Sequence, residues 1–339
     1  MEKNNKIKLL FAGHDLKFAK MLIEYFKSKK NYEVKIDLWK GHNQHNEELS
    51  YKCLKWADVI VCEWGLGNSV WYSNHKRKNQ VLIVRMHLQE LKTKYPFKFN
   101  MKNINRIITV GPKIARDLKS KFKIPDSKLS IIYNLIDSEK LNSNKTKDCK
   151  YNLGLLGCCP SRKRLDKALD IFEKLWSKDK KYKLYIKGKH PKEYSWLWKK
   201  KDEKEFYESV FKRINDSKWK DSVIFEPWSS DVFNWFSKIG FILSVSDFES
   251  FHLAVAEGMA SGSIPIIYNW EGANELYPRK FVFKNNEEAA LLIHNIGKDN
   301  GLNSLQKYVV KFARGRFDKK IICSKWEEII KKECENIGK

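Results

Sequence analysis

Twice along this chain, short apolar runs with strand character alternate with amphipathic segments, and a polar stretch separates the two series. In the first series IKLLFAG (7–13), YEVKIDLW (32–39), ADVIVCEW (57–64), QVLIVRMH (80–87) and INRIITVG (104–111) read as strands. Runs so short and so continuously apolar fit strands buried on both faces. Between the first two, Phe18, Met21, Leu22, Tyr25 and Phe26 recur at helical spacing, with Lys17, Lys20 and Lys27 elsewhere on the turn. Such alternation predicts a mostly parallel sheet covered by helices on both faces. DSEKLNSNKTKDCK (137–150), rich in Lys and Asn, then reads as a linker. The pattern restarts with YNLGLLG (151–157), the helix RLDKALDIFEKLW (164–176), YKLYIKG (182–188), SVIFEPW (222–228), GFILSVS (240–246) and SIPIIYN (263–269). The fold class expected is α/β, with two Rossmann-like domains facing an interdomain cleft.

The expected bounds are 1–145 for the first domain and 150–314 for the second. A final helix over 315–339 is expected to pack back toward the first domain through Phe317, Ile321, Trp326, Ile329 and Ile330. A length of 339 residues suits two domains of about 150 each. The seven cysteines include no C-x-x-C pair, and a pattern of this kind suits reduced intracellular thiols. The N-terminal apolar run is too short for a secretory signal and no stretch is long and apolar enough to span a bilayer, so the expected location is cytoplasmic.

The most informative stretch is SVSDFESFHLAVAEGMASGSIPIIYNWEGANELYP (244–278). Ser250 is placed to cap a helix over 251–260, with Gly262 just beyond its end. A helix starting there directs the open amides of Phe251, His252 and Leu253 toward the cleft, where they and the helix dipole suit a diphosphate. Glu257 follows about 10 Å from Glu249 along the helix rise, a reach that suits a carboxylate on ribose hydroxyls. Taken alone, two glutamates at this spacing read more readily as a dipole-stabilising charge at a helix start, Glu249, and a surface residue, Glu257.

The surrounding residues, ESFHLAVAEGMASGSIPII followed by EGANE, resemble the signature of retaining GT-B glycosyltransferases of the large family four (glycosyl transferases group 1). The resemblance extends over most of the chain. It implies that Glu249 contacts the transferred sugar, Glu257 holds the donor ribose, and Ser250 with the amides of residues 251–253 binds phosphate and sugar hydroxyls. Gly258 departs from the usual Ala, and Glu275 matches a position read as structural. LGLLGCCPSRKRLDKALDIFEKL resembles the strand–loop–helix that carries an Arg and a Lys for the diphosphate. Gly157 fits that loop and Lys163 falls on the Lys, but the Arg position is Cys158. Arg162 or Arg164 is then expected to supply the second cation. In the first domain the resemblance puts His87, at a strand end, near the reacting sugar, with Arg85 and Glu90 as flanking candidates. Gly13, His14 and Asp15 form a loop near donor phosphate and acceptor, while Asn134 and Asp137 close the domain.

The implied activity is retaining transfer of a hexose or N-acetylhexosamine, from a UDP-sugar first and GDP-mannose next. Helix amides and basic side chains would stabilise the leaving diphosphate, with no metal and no other cofactor. Asp-x-Asp, zinc-ligand spacing, P-loop, G-x-G-x-x-G and G-x-S-x-G patterns are all absent. The acceptor is open among a cell-surface glycan, a glycolipid and an acidic polymer. Net charge is +25, of which residues 1–150 hold +16, so an anionic partner or peripheral contact with anionic membrane fits. KIARDLKSKFK (113–123) and HPKEYSWLWKKK (190–201) read either as packed helices or as interfacial ones. Two rival classes stand beside this reading. A nucleotide-sugar epimerase of the same fold shares the site. A basic nucleic-acid-binding protein shares the charge but lacks a recognition motif, so no nucleic-acid partner is expected.

Overall fold

The computed structural model describes residues 6–141, 144–298 and 301–337. The chain forms two compact units, Met1–Leu135 together with Lys319–Lys339, and Ile136–Asp318.

In the first unit the strands are β1 (Ile7–Gly13), β2 (Tyr32–Leu38), β3 (Val59–Glu63), β4 (Val81–Met86), β5 (Arg106–Thr109) and β6 (Leu129–Ile131). They form one parallel sheet in the order β2-β1-β3-β4-β5-β6. Side chains alternate across the sheet, as the period of two requires. Leu9, Phe11, Val59, Val61 and Ile83 join one core with Leu22, Phe26, Trp326 and Ile330. Leu10, Ala12, Ile60, Cys62 and Val84 join another with Cys53, Tyr72 and Leu118. Both faces are dry, which is why the strands read as unbroken apolar runs. In the helix Pro112–Phe122 the stripe Ile114, Leu118 and Phe122 is buried in this unit, leaving Arg116 and Lys119 outside. Its apolar face is therefore core and not a membrane surface.

In the second unit β7 (Asn152–Leu156), β8 (Lys183–Lys187), β9 (Val223–Glu226), β10 (Phe241–Ser244), β11 (Ile264–Tyr268) and β12 (Val282–Phe283) form a parallel sheet. Its order is β12-β11-β10-β7-β8-β9. Counted from β7 this is the 3-2-1-4-5-6 order of a doubly wound fold, and its topological switch point lies between β7 and β10.

The segment expected to be a linker belongs to the second unit, apart from Asn142 and Ser143, which lie outside the described residues. Lys145 is partly buried and donates to the carbonyls of Phe236 and Ile239 at 2.7 Å and to Ser263 Oγ at 2.8 Å; burial lowers its pKa to about 7. A lysine can thus close off carbonyls as a core residue would, which its polar neighbours in sequence conceal. Chain crossings fall at 135/136 and 318/319, where Ile136 bridges Asp318 and Ser138 bonds the Asp318 carboxylate. The terminal helix is two helices, Leu302–Phe317 and Lys319–Ile337, of which the second belongs to the first unit. Its buried face is Ile322, Cys323, Trp326, Ile330 and Glu333, with Ile321 and Ile329 only partly covered. Among the described residues no helix is long and apolar enough to cross a membrane.

Candidate active site

Two loops leave the carboxyl ends of β7 and β10 and meet at the switch point. The first runs through Gly157, a single 3-10 turn over Ser161–Lys163, and Arg164. Gly157 has φ +80°, a conformation that glycine adopts without cost. The second loop runs through Asp247 and Glu249 to the helix Leu253–Ala260. A backbone bond from the Asp247 N–H to the Arg162 carbonyl, 2.9 Å, ties the loops together.

Lys163 Nζ lies 2.5 Å from Glu249 Oε1, and Arg162 Nη1 lies 3.5 Å from the same oxygen while donating to the Phe248 carbonyl at 3.0 Å. Arg164 turns elsewhere: Asp166 holds it at 2.7 Å and Asp247 at 2.9 Å. Of the two arginines considered for the missing cation, Arg162 joins the lysine at Glu249 and Arg164 is neutralised by two carboxylates. Burial opposes the charge on Glu249, yet the pull of His252, then of Lys163 and Arg162, outweighs burial and lowers its pKa to about 2. His252 is pushed the other way, to about 3, by burial and by Lys163, so at neutral pH it is uncharged.

The helix begins at Leu253, not at 251, and Ser250 does not cap it. His252 occupies the cap position in the left-handed region (φ 58°) and gives no side-chain cap bond. Three buried contacts impose this bend. His252 Nδ1 is 2.5 Å from Ser244 Oγ, and Tyr277 Oη donates to the carbonyls of Phe251 at 2.7 Å and His252 at 3.2 Å. A local preference for Ser at the cap loses to them. The amides of Phe251 and His252 therefore precede the helix, and the first-turn amide that heads it is that of Leu253. Ser246 Oγ, just beyond β10, is buried with no hydrogen-bond partner among the described residues.

Glu257 is half-buried and, among the described residues, its carboxylate has no hydrogen-bond or ion-pair partner; burial pushes its pKa up to about 7. Its neighbour Gly258 lies against β10, where a Cβ would come within 2.7 Å of Ile242 Cγ2. That close approach accounts for the departure from Ala. A cavity of about 220 Å³ opens beside Gly157, Cys158 and Cys159 and is walled by Lys187, Tyr194 and Trp228. In 190–201, Leu197 packs inward, Trp196 is exposed and Tyr194 joins this wall. Glu275 accepts from Arg316 through its backbone carbonyl, a packing contact between the turn and the helix Leu302–Phe317.

The first-unit candidates form a separate buried network. His87 follows β4, with Nε2 3.2 Å from Glu63 Oε1 and its ring 4.3 Å from Trp64 and 5.5 Å from Phe18. Arg85 pairs with Glu63 at 3.2 Å and donates to Asn134 Oδ1. Glu90 accepts from the amides of Gly65 and His87, at 2.8 and 3.1 Å, and burial raises its pKa. Burial opposes the charge of Glu63, but Arg85 and then His87 lower its pKa overall. Gly13 ends β1, packed on the Glu63 backbone; His14 sits 4.7 Å from His42 and Asp15 pairs with Lys17 at 2.8 Å. Asp137, at the start of the second unit, lies 3.8 Å from Lys140. The sequence reading missed Glu63, the hub of this network, although the rule that singled out His87 applies equally to a carboxylate ending β3. Among the described residues no group of three or more His, Cys, Asp or Glu is placed to hold a metal ion.

Solved structures similar to this one include a glycosyltransferase. That of Rickettsia africae matches with a TM-score of 0.75 at 16% identity, over 98% of this chain and all of that one. Alr3699/HepE of Anabaena, solved with UDP, matches with a TM-score of 0.71 at 14% identity, over 96% of this chain and all of that one. TarM of S. aureus, solved with fondaparinux, alpha-GlcNAc-glycerol and UDP, gives a TM-score of 0.62 at 16% identity over 80% of this chain and 54% of its own. No curated protein matches the sequence. At these identities the likeness establishes the fold, the GT-B arrangement of two Rossmann-like domains. The model of the family "Glycosyl transferases group 1" matches residues 137–316, more than half of the chain and the whole of the loop system built on β7 and β10, and the chain belongs to that family.

Proposed function

We propose that this glycosyltransferase moves a hexose or N-acetylhexosamine from a nucleotide-sugar, with retention of configuration and without a metal. A UDP-sugar is the favoured donor, with GDP-mannose next. The observation that carries the reading is the Glu257 carboxylate, half-buried at a cost and without a partner among the described residues. Such a group is stabilised when a ligand donates hydrogen bonds to it, and a ribose diol offers two donors. Glu257 lies four residues beyond the Leu253 amide, about 6 Å along the helix, a span that a nucleoside diphosphate bridges.

Lys163 and Arg162 are the cations for the departing diphosphate. Glu249 holds both in place. When donor binds, phosphate oxygens compete for the same ammonium and guanidinium, and Glu249 is freed to orient sugar hydroxyls. The leaving diphosphate then takes the acceptor proton on the same face of the sugar, so Glu249 need not become covalently attached. His87 and Gly13 keep the donor-side roles that the family resemblance implies. Similar proteins solved with UDP, with UDP-glucose and with fondaparinux and alpha-GlcNAc-glycerol support a UDP-sugar and a glycan-type acceptor. The net charge of +25 supports an anionic acceptor, a glycolipid or acidic polymer, and peripheral contact with the cytoplasmic face of an anionic membrane.

Nucleotide release from a panel of UDP-, GDP- and ADP-sugars, each with and without EDTA, tests the reading. Turnover of a UDP-sugar or of GDP-mannose, unchanged by EDTA, is expected. No turnover with any donor, or loss in EDTA that Mn²⁺ or Mg²⁺ restores, would refute the corresponding part.

A further inference from the structure

We propose that the carboxyl end of β2, with the helix Lys20–Lys27 beside it, is the surface by which this protein rests on an anionic bilayer. The proposal rests on the peripheral contact read above from net charge and gives that contact a place on the first unit.

β2 is an edge strand of seven residues, bonded to β1 on one side only. With the period of two, Tyr32, Val34, Ile36 and Leu38 share one face, and there Val34 packs on the core that holds Leu22, Ile23 and Phe26 of the helix. Exposure climbs along the row: Tyr32 is 4% exposed, Ile36 39% and Leu38 62%. A stripe that starts in the core therefore ends in water. Beside it lies an open groove of about 370 Å³, whose apolar lining is Leu16, Ile23 and Ile36. Its other side is Lys17, Lys20, Glu24 and Lys27. Lys17 is answered by Asp15 at 2.8 Å. Lys20 and Lys27 at the groove, and Lys40 two residues beyond Leu38, are exposed and make no side-chain hydrogen bond or ion pair among the described residues. Three ammonium groups thus stand around the apolar end of the strand, against the single carboxylate of Glu24.

An open edge with apolar side chains invites a partner, and its chemistry selects which. A second copy fits poorly. Two β2 strands paired antiparallel about their midpoints set Lys35 across from Lys35, and like charges directly opposite are destabilising. An acidic polymer would answer the lysines and leave Ile36 and Leu38 in water. An anionic bilayer answers both, because lipid phosphates take the ammonium groups and the interface takes the two apolar side chains. Insertion no deeper than the headgroups leaves the open strand edge hydrated. Leu38 is the register partner of Gly13, so the contact sets the loop of Gly13, His14 and Asp15 beside the headgroups. Of the acceptor classes open above, a glycolipid is the one that loop would meet there.

The test is sedimentation of the full-length protein with vesicles of phosphatidylcholine alone, and of phosphatidylcholine with phosphatidylglycerol in equal parts. Wild type should bind the mixed vesicles at least about tenfold more strongly than the neutral ones. Lys20→Gln with Lys27→Gln should weaken that binding by about 10–30-fold, at about fivefold per lysine. Ile36→Thr with Leu38→Ser should weaken it by at least about tenfold. Leu38→Ser alone, at the most exposed position, should lose at least about threefold and stands in if the double variant melts early. If wild type ignores the mixed vesicles, the peripheral contact and this surface fail together. If wild type binds and every variant binds equally, the contact stands and this surface is wrong. Loss in the lysine variant alone marks a purely ionic surface, and a vesicle-free dimer that Leu38→Ser makes monomeric marks a second copy; either overturns the proposal. UDP titration without vesicles keeps the donor site apart: every variant should bind as wild type does, and a wild type that binds vesicles but no nucleotide counts against that site alone.

Discussion

Replacing Glu257 by Gln should make the free protein more stable and the enzyme worse. The carboxyl ordinarily titrates at 4.5, and burial raises it to about 7 in the folded chain. Between those values the native state holds a proton that the unfolded chain has released, so stability falls as pH rises through the window. The penalty is absent below about pH 4.5 and complete above about pH 7. Two and a half units correspond to roughly 3 kcal/mol at about 1.4 kcal/mol per unit, and solvent reaching the half-buried group reduces this to about 1–3 kcal/mol. Glutamine has nearly the same shape and no proton to lose. Its buried amide carries a cost of its own, but the same cost at every pH, so the comparison is a double difference. Thermal melts of wild type and Glu257→Gln at pH 5 and pH 8 should show the variant gaining about 3–10 °C on wild type between the two. Wild-type affinity for UDP should also rise through pH 7, as the ionised carboxylate becomes available to the ribose, while the variant's stays flat and at least about tenfold weaker. A melting difference that does not change between pH 5 and pH 8 would show that Glu257 is already satisfied in the free protein, and the argument for a ribose there would lose its basis.

Lys163→Ala and Arg162→Ala should each lower turnover by about 10²–10³ with smaller effects on donor affinity, since both act on charge that develops as the bond breaks. Arg164→Ala, which removes a cation already neutralised by Asp166 and Asp247, should stay within about twofold; a loss as large as that of Arg162→Ala would exchange their roles. Gly13→Ala places a Cβ 2.7 Å from the Glu63 carbonyl oxygen, a backbone atom that cannot step aside, and should destabilise the first unit by about 1–3 kcal/mol. An unchanged urea midpoint would contradict that packing.

The sheets were legible because both are buried on two faces, and burial on two faces writes itself as an apolar run. All the strands expected from such runs are present. The two that escaped, Leu129–Ile131 and Val282–Phe283, are three and two residues long and show no period. Chain punctuation misled where a polar residue does core work: Lys145 and its Asn- and Lys-rich neighbours read as solvated linker, yet its ammonium closes four acceptors at the ends of neighbouring elements. Ser250 misled for a related reason. A cap preference is a property of one residue and its nearest amides, whereas the bend at His252 is set by Ser244 and Tyr277, which lie 8 and 25 residues away.

The same distinction orders the site itself. Glu249 and Lys163 were found through a pattern of residue types, but their meeting at 2.5 Å depends on β7 and β10 being adjacent, an adjacency that strand order creates and no local spacing encodes. Once that order is known, the residues that matter are those at the carboxyl ends of the strands nearest the switch point, because parallel strands deliver their last side chains to one edge. Glu63 and Ser246 both occupy such places, and each is a polar group in an apolar setting that folding alone would not retain without a use. Glu63 finds its use in Arg85 and His87. Ser246 Oγ finds no hydrogen-bond partner among the described residues, and it lies just beyond β10, beside the switch point. A polar group unsatisfied at a switch point is therefore a more specific signal than one satisfied there, and among the described residues the second unit carries Ser246 in that condition, with Glu257 likewise unpartnered on the following helix, which is the support for the nucleotide site proposed there.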